Sequence, residues 1–187
     1  MRRVIAFEVV TADGFYEGEH GEFDWPKIDE DFFRLSVEQT SSFDTLLYGR
    51  ATYEGMASYW PTPVAAEQNP PDIVDLMNRL PKVVFANSTV DTSWDNTTLI
   101  TSDAAAAVTE MKQEEGGDMG VYGSFRLVTS LLDAGLLDEL RVMIHPILLG
   151  RGKPMFSALA DRIRLELIRS TTFASGSVLL RYRPLTG

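Results

Sequence analysis

Two places in the chain bring an apolar run to an abrupt glycine, then to polar side chains, then to a helical pattern. One is Tyr48-Gly49-Arg50-Ala51-Thr52 and the other is Val121-Tyr122-Gly123-Ser124-Phe125-Arg126. Both combinations suit an anion. Glycine lets a backbone approach closely, the unsatisfied N–H groups and dipole of a helix start favour negative charge, and Arg50 can grip a phosphate with its planar fork. Thr52 is placed to cap the helix that follows. The second junction has the form of a pyrophosphate site. The alternatives are a capped corner with a solvated Arg50, and a tight glycine turn with no ligand. A third apolar run ends in Ala86-Asn87-Ser88, small hydrogen-bonding groups with no acid among them. An acid there would repel a 2′-phosphate, so its absence leans towards a phosphorylated dinucleotide, although Asn-Ser is also ordinary turn chemistry.

Other chemistries find little support. The glycines at 117, 120 and 123 do not make a G-x-G-x-x-G fingerprint, and no P-loop or G-x-S-x-G motif occurs. The two histidines stand at 20 and 145, without the spacing of a metal site or a histidine triad, and His145 reads as a strand residue. With no cysteine, disulfides, thiolate catalysis and cysteine-ligated metals are excluded. Carboxylates crowd "GEFDWPKIDEDFFRL", where most must be solvated or capping. Asp29 or Asp31 could instead point into a cleft lined by Trp25 and hold a heterocycle.

Periodicity predicts the elements that must position these groups. Apolar or β-branched runs recur at 3–10, 45–49, 82–87, 97–101, 119–123, 139–149, 164–173 and 177–183, giving eight strands. Short continuous runs such as "TLLYG", "KVVFA" and "GVYG" have the pattern of strands covered on both faces of a mostly parallel sheet. The last two alternate, are joined by "ASG", and read as an antiparallel hairpin. Helical patterns fall at 28–41, from Thr52, and at 70–79, 103–115 and 125–134, while 61–70 reads as a loop. The alternation predicts one α/β domain over residues 1–187, a three-layer α/β/α sandwich around a mixed, mostly parallel eight-stranded sheet.

Composition narrows the partners. Apolar residues at 44% and charged ones at 24% suit a chain that folds around a sizeable core. A formal net charge of -10 repels nucleic acid and anionic lipid surfaces, yet leaves room for a small phosphorylated ligand held by one local arginine and several N–H groups. The opening "MRRVIAFEVVTADG" interrupts a short apolar run with Glu8, too brief and polar for a signal peptide or membrane span, so a cytoplasmic protein is expected. The apolar terminal strands allow a homodimer.

The order of "TADGFY", "FDW", "LLYGRATYEGM", "VVFANS" and "GVYGSFRLV" resembles the dihydrofolate reductase fold family over nearly the whole chain. The stretch "DELRVMIHPILLGRGKPMF", with Leu140, Pro146, Leu149, Gly150 and Gly152, is similar to the reductase domain at the C-terminal end of bifunctional riboflavin-biosynthesis deaminase-reductases and to their free-standing bacterial relatives. The resemblance implies NADPH as cofactor and a small heterocycle as hydride acceptor, either a pterin or dihydrofolate or an aminouracil of riboflavin biosynthesis. Gly49, Arg50 and Thr52 would contact the NADPH phosphates and Asn87 and Ser88 the adenosine side. Tyr122, Gly123, Ser124, Phe125 and Arg126 would face the pyrophosphate and nicotinamide side. Asp13, Gly14, Trp25 and Tyr53 would border the substrate, with Asp29 or Asp31 as the acid. Ser124 departs from the pattern of dihydrofolate reductases, which carry a second glycine there, and the deaminase zinc signature is missing with the cysteines. A nucleotide-binding module without turnover, and a structural dimerisation domain without nucleotide affinity, are the competing readings.

Overall fold

The computed structural model describes residues 1–185. The chain runs β1 (Val4–Thr11), β2 (Phe15–Glu17), α1 (Glu30–Ser41), β3 (Phe43–Gly49), α2 (Arg50–Tyr59), α3 (Pro63–Gln68), α4 (Pro71–Arg79) and β4 (Lys82–Phe85). It continues through β5 (Thr97–Ile100), α5 (Ala104–Gln113), β6 (Asp118–Tyr122), α6 (Phe125–Asp133), β7 (Glu139–His145), β8 (Lys153–Pro154), β9 (Arg164–Thr172) and β10 (Val178–Leu185). All eight predicted strands join one sheet in the order β5-β4-β3-β6-β1-β7-β10-β9. Its first six members are parallel, and β10 runs antiparallel to both β7 and β9.

Side-chain alternation divides β1 between two cores. Val4, Ala6 and Val10 pack with Val108 of α5 and with Leu127, Val128 and Leu131 of α6. Ile5 and Phe7 pack on the other face with Phe32 of α1, Tyr53 of α2, and Ile73, Leu76 and Met77 of α4. Two helical layers therefore sandwich the sheet, the three-layer arrangement expected of strand-helix alternation.

Four sequence expectations need correction. Residues 61–70 are not a plain loop: Thr62 caps α3 by accepting from the Ala65 N–H, and Pro63 supplies the preset first-turn backbone. Helix α2 begins at Arg50, with Gly49 as its N-cap, so Thr52 lies inside the first turn and does not cap it. The apolar run to 149 leaves the sheet after His145 because Pro146 removes a ladder donor. Two short pieces, β2 and β8, form a separate antiparallel pair that no periodicity in the sequence marked.

Candidate functional site at the carboxyl edge of the sheet

Parallel pairing places the carboxyl ends of β4, β3 and β6 side by side, with Gly49 opposite Phe85 and Leu47 opposite Val121. Both glycine corners sit on that edge and touch. The Gly49 N–H donates to Ser124 Oγ at 2.7 Å. A methyl group built on Gly123 would lie 3.2 Å from Thr52 Cγ2, so the Thr52 side chain covers the second corner. Gly123 and Ser124 both adopt left-handed backbone, φ 58° and 63°. Glycine does so freely, whereas serine pays a steric cost of about 1–2 kcal/mol. The bond to Gly49 offsets that cost and explains how serine is tolerated at this corner.

Helices α2 and α6 start from these two corners, and neither has a side-chain cap. Asp29, Thr62 and Asp103 cap α1, α3 and α5, while α4, which starts from Pro70-Pro71 away from this patch, has no side-chain cap either. First-turn N–H groups of two helices thus converge on one patch, where they and their dipoles favour anionic groups. Arg50 extends the patch sideways: its Nη1 donates to Ser88 Oγ at 2.5 Å and its Nε pairs with Glu54 at 2.8 Å, with the side chain half exposed. Arg50 and Ser88 are therefore brought together, and Asn87 and Arg126 lie exposed on the same edge. Phe125 opens α6 and stacks on Tyr16, ring centroids 3.7 Å apart. One part of the expectation is changed, because the Gly49 amide is already taken by Ser124 and the free N–H groups belong to the first turns.

Among the residues assigned to the substrate, Trp25 lies beside a buried histidine. Its indole lies against His145, ring centroids 5.8 Å apart at 73°. His145 is 1% exposed. Its Nδ1 accepts from the Lys27 N–H at 3.2 Å and lies 3.2 Å from Ser177 Oγ, which puts the proton of the neutral ring on Nε2. Burial lowers the His145 pKa and the nearby Asp29 charge opposes that shift only in part, so the ring stays neutral at pH 7. His145 Nε2 and Trp25 Nε1 are both buried and have no hydrogen-bond partner. His145 is the strand residue its sequence context indicates, and a histidine inside an apolar strand is the one signal that marks it further.

Four of the assigned residues need correction. Tyr53 is fully buried between Tyr48 and Trp94 and donates to Thr97 Oγ1, so no substrate can reach it. The Tyr122 side chain is buried on the α1 face, its hydroxyl 2.6 Å from Thr40 Oγ1, which leaves only its backbone at the corner. Asp13 is a clasp: its carboxylate accepts from Thr11 Oγ1, Leu149 N and Gly150 N, and these bonds, Thr11 first, lower its pKa. Gly14 turns beside it with φ 84°. Asp31 pairs with the exposed Arg34. Asp29 caps α1 by accepting from the Phe32 N–H at 3.0 Å and is the acid close enough to act on His145.

A cleft of about 640 Å³ lies elsewhere, lined by Trp60, Asn78 and Trp94 among others. Its polar floor is already paired, with Trp94 Nε1 donating to Asn78 Oδ1 at 2.8 Å, whereas unspent donors gather at the carboxyl edge. The site is assigned to the edge on that ground. Among the described residues no cluster of three or more metal-ligating side chains occurs, and no helix is long and apolar enough to cross a membrane.

Residues 2–179 match the RibD C-terminal domain family. The chain is 35% identical over 186 residues to the uncharacterised protein YyaP of Bacillus subtilis strain 168, covering 97% of this chain and 94% of that protein. Among solved structures, a Shewanella sp. PV-4 protein assigned by name to riboflavin biosynthesis superposes with a TM-score of 0.76 at 20% identity, covering 98% of this chain and 99% of the other. The Thermotoga maritima diaminohydroxyphosphoribosylaminopyrimidine deaminase/5-amino-6-(5-phosphoribosylamino)uracil reductase superposes with a TM-score of 0.71 at 16% identity, over 98% of this chain and 57% of that one. Enterococcus faecalis dihydrofolate reductase, solved with NADP(H), gives 0.64 at 15% identity over 98% and 97%. The fold is that of dihydrofolate reductase.

Proposed function

The chain belongs to the RibD C-terminal domain family, and on that footing we propose that it is a cytoplasmic reductase that holds NADPH across the carboxyl edge of its sheet and reduces a small heterocycle. The observation that carries this reading is the convergence of two uncapped helix starts at the Gly49–Ser124 hydrogen bond. Such a pair fits a pyrophosphate, one helix N-terminus for each phosphoryl group. Gly123 and Thr52 wall the patch, and Arg50 with Ser88 supplies a charged fork and a hydroxyl for a 2′-phosphate. Asn87 borders the adenosine beside them. The Enterococcus relative, solved with NADP(H), supports the choice of coenzyme.

The bound coenzyme supplies the hydride. The protein's own part is to orient the acceptor, exclude water and polarise the bond being reduced. Trp25 Nε1 and His145 Nε2 are two buried donors on the α1 face, so the acceptor should present two hydrogen-bond-accepting atoms close together. A pyrimidinedione does so with its carbonyl oxygens, and the Thermotoga relative is named for the reduction of such a ring. A neutral imidazole polarises a C=O or C=N group by hydrogen bonding without the cost of bringing a charge into the pocket. Asp29, spent on its cap, holds the start of α1 in place and tunes His145.

Fluorescence titration with NADPH, followed by oxidation assays over aminouracils and pterins, tests the reading. Saturable NADPH binding with turnover of an acceptor is the expected result. Binding without turnover of any acceptor would favour a non-catalytic nucleotide module, a reading to which the capping role of Asp29 lends weight. No affinity for NADPH would overturn both.

A further inference from the structure

Glu8 sits in the middle of β1 with no exposed surface, and neither carboxyl oxygen has a hydrogen-bond partner. By strand alternation it shares the face of Ala6 and Val10, the face packed by α6, next to Val142 of β7. The ionised Glu139–Arg141–Arg181 cluster gives it no counter-charge. Burial therefore raises its pKa well above the usual carboxylate range and keeps it a neutral acid. A leucine of similar size would pack there without leaving two polar atoms unpaired, so the requirements of the fold do not explain the residue.

Its place in the sheet does. Pairing of β1 with β6 ends at Phe7 opposite Tyr122, where the Gly123 N–H donates to the Phe7 carbonyl at 3.3 Å. Pairing of β1 with β7 continues four residues further, to Thr11 opposite His145. The sheet forks directly after Phe7, and Glu8 is the first residue inside the fork, beside the left-handed Gly123-Ser124 corner from which α6 departs. A coenzyme with its pyrophosphate on the α2 and α6 starts, as proposed above, has its redox ring directed at this fork.

We propose that the Glu8 carboxyl forms a two-bond hydrogen-bonded pair with the carboxamide of the nicotinamide ring. The inference rests on the NADPH reading. A neutral carboxylic acid carries one O–H donor and one carbonyl acceptor side by side, and a primary carboxamide carries the matching N–H donor and carbonyl acceptor. Pairing them satisfies both orphaned oxygens of Glu8 and fixes the rotation of the ring about its glycosidic bond. It also fixes which ring face is turned to the acceptor pocket on the α1 side. Neutrality serves a second end, because a carboxylate here would attract the positively charged oxidised ring and slow product release.

The test compares wild type, Glu8→Leu and Glu8→Gln, using NADPH and its 3-acetylpyridine analogue, in which a methyl ketone replaces the carboxamide. Binding is measured by fluorescence titration and stability by thermal melting without ligand. Wild type should bind NADPH about tenfold or more tighter than the analogue, as expected for one lost buried hydrogen bond. Glu8→Leu should bind NADPH about tenfold more weakly, discriminate less between the two, and melt higher than wild type. Glu8→Gln, which keeps a donor and an acceptor, should retain most of the affinity and the discrimination. Equal affinity of wild type for the two coenzymes overturns the proposal without recourse to a variant. So does a Glu8→Leu protein that binds NADPH as tightly as wild type, or one that melts lower, since that would make Glu8 a structural residue. A wild type that binds neither coenzyme refutes the NADPH reading itself, a result distinct from binding without discrimination.

Discussion

Replacing Ser124 separates the two forces that meet at the glycine corners. Ser124 holds a left-handed backbone at φ 63° and its Oγ accepts the Gly49 N–H at 2.7 Å with the residue 9% exposed. Ser124→Ala keeps the unfavourable backbone and strands a partly buried N–H, a loss of about 1 kcal/mol. Ser124→Gly loses the same bond but relieves roughly 1–2 kcal/mol of backbone strain, part of which it gives back through the greater freedom of its unfolded chain. Ser124→Gly should therefore be more stable than Ser124→Ala by about 1 kcal/mol, equivalent to roughly 2–4 °C in melting temperature for a chain of this length. Urea denaturation and thermal melting of the three proteins measure it. NADPH affinity adds a functional readout: Ser124→Gly frees the Gly49 amide as Ser124→Ala does and also removes the Cβ from the corner, so it should bind NADPH at least as well as Ser124→Ala. Equal stability of the two variants, or a more stable alanine, would refute the strain assignment and with it the account of how serine is tolerated here.

Arg50→Ala should weaken NADPH roughly 10- to 100-fold while changing NADH little, because a charge-assisted contact to a 2′-phosphate is lost; equal losses for both would remove Arg50 from that role. His145→Phe should lower kcat/KM for the acceptor roughly 10-fold or more with the NADPH affinity unchanged, and an unchanged kcat/KM would show that no acceptor atom meets Nε2. The same residue makes stability depend on pH. Burial depresses its folded-state pKa below the ordinary 6.5, so the unfolded chain binds the proton more readily, and the stability present above that value should decline as pH falls below it. Denaturation midpoints across that range should fall less for His145→Phe than for wild type. Finally, β9 pairs only with β10 and exposes Leu167 at 54% and Ile168 at 42%. A homodimer through this edge should be seen by light scattering and lost on Leu167→Lys, and a monomeric wild type would dismiss it.

Local pattern made most of the fold legible. Every strand of the main sheet and five of the six helices coincide with runs read from periodicity, because each carries its own apolar face and its own stop. What escaped was held by contacts distant in sequence. Strand β2 pairs with β8, near residue 154, and neither is long enough to show a period. Helix α3 hid behind two prolines that punctuate its ends instead of breaking it. At the candidate site, Gly49, Arg50, Thr52, Gly123 and Ser124 were legible from two strand-glycine-helix junctions and Ser88 from a third strand end, because parallel sheets deliver such ends to a common edge. Tyr53 and Asp13 were misplaced for the opposite reason: a motif tells that residues matter, and only the three-dimensional contacts tell that one is packed in a core and the other clasps a turn.

Residues that break a pattern locally are informative in proportion to whether the fold repairs the break. Lys82, Glu139, Arg141, His145 and Glu8 all interrupt apolar strands, and in the sequence they look alike. Lys82 Nζ finds three backbone carbonyls, and Glu139 finds Arg141, Arg181 and Arg3. Those breaks are repaired within the chain and need no outside partner. His145 keeps one ring nitrogen unpaired, and Glu8 keeps both of its oxygens unpaired. These unrepaired breaks stand on opposite faces of the sheet, along the β1–β7 ladder that runs on past the fork, towards the edge where the glycine corners meet. A protein selected for stability alone would have little reason to retain them, and one that must seat a polar ring between two faces would need groups of this kind there.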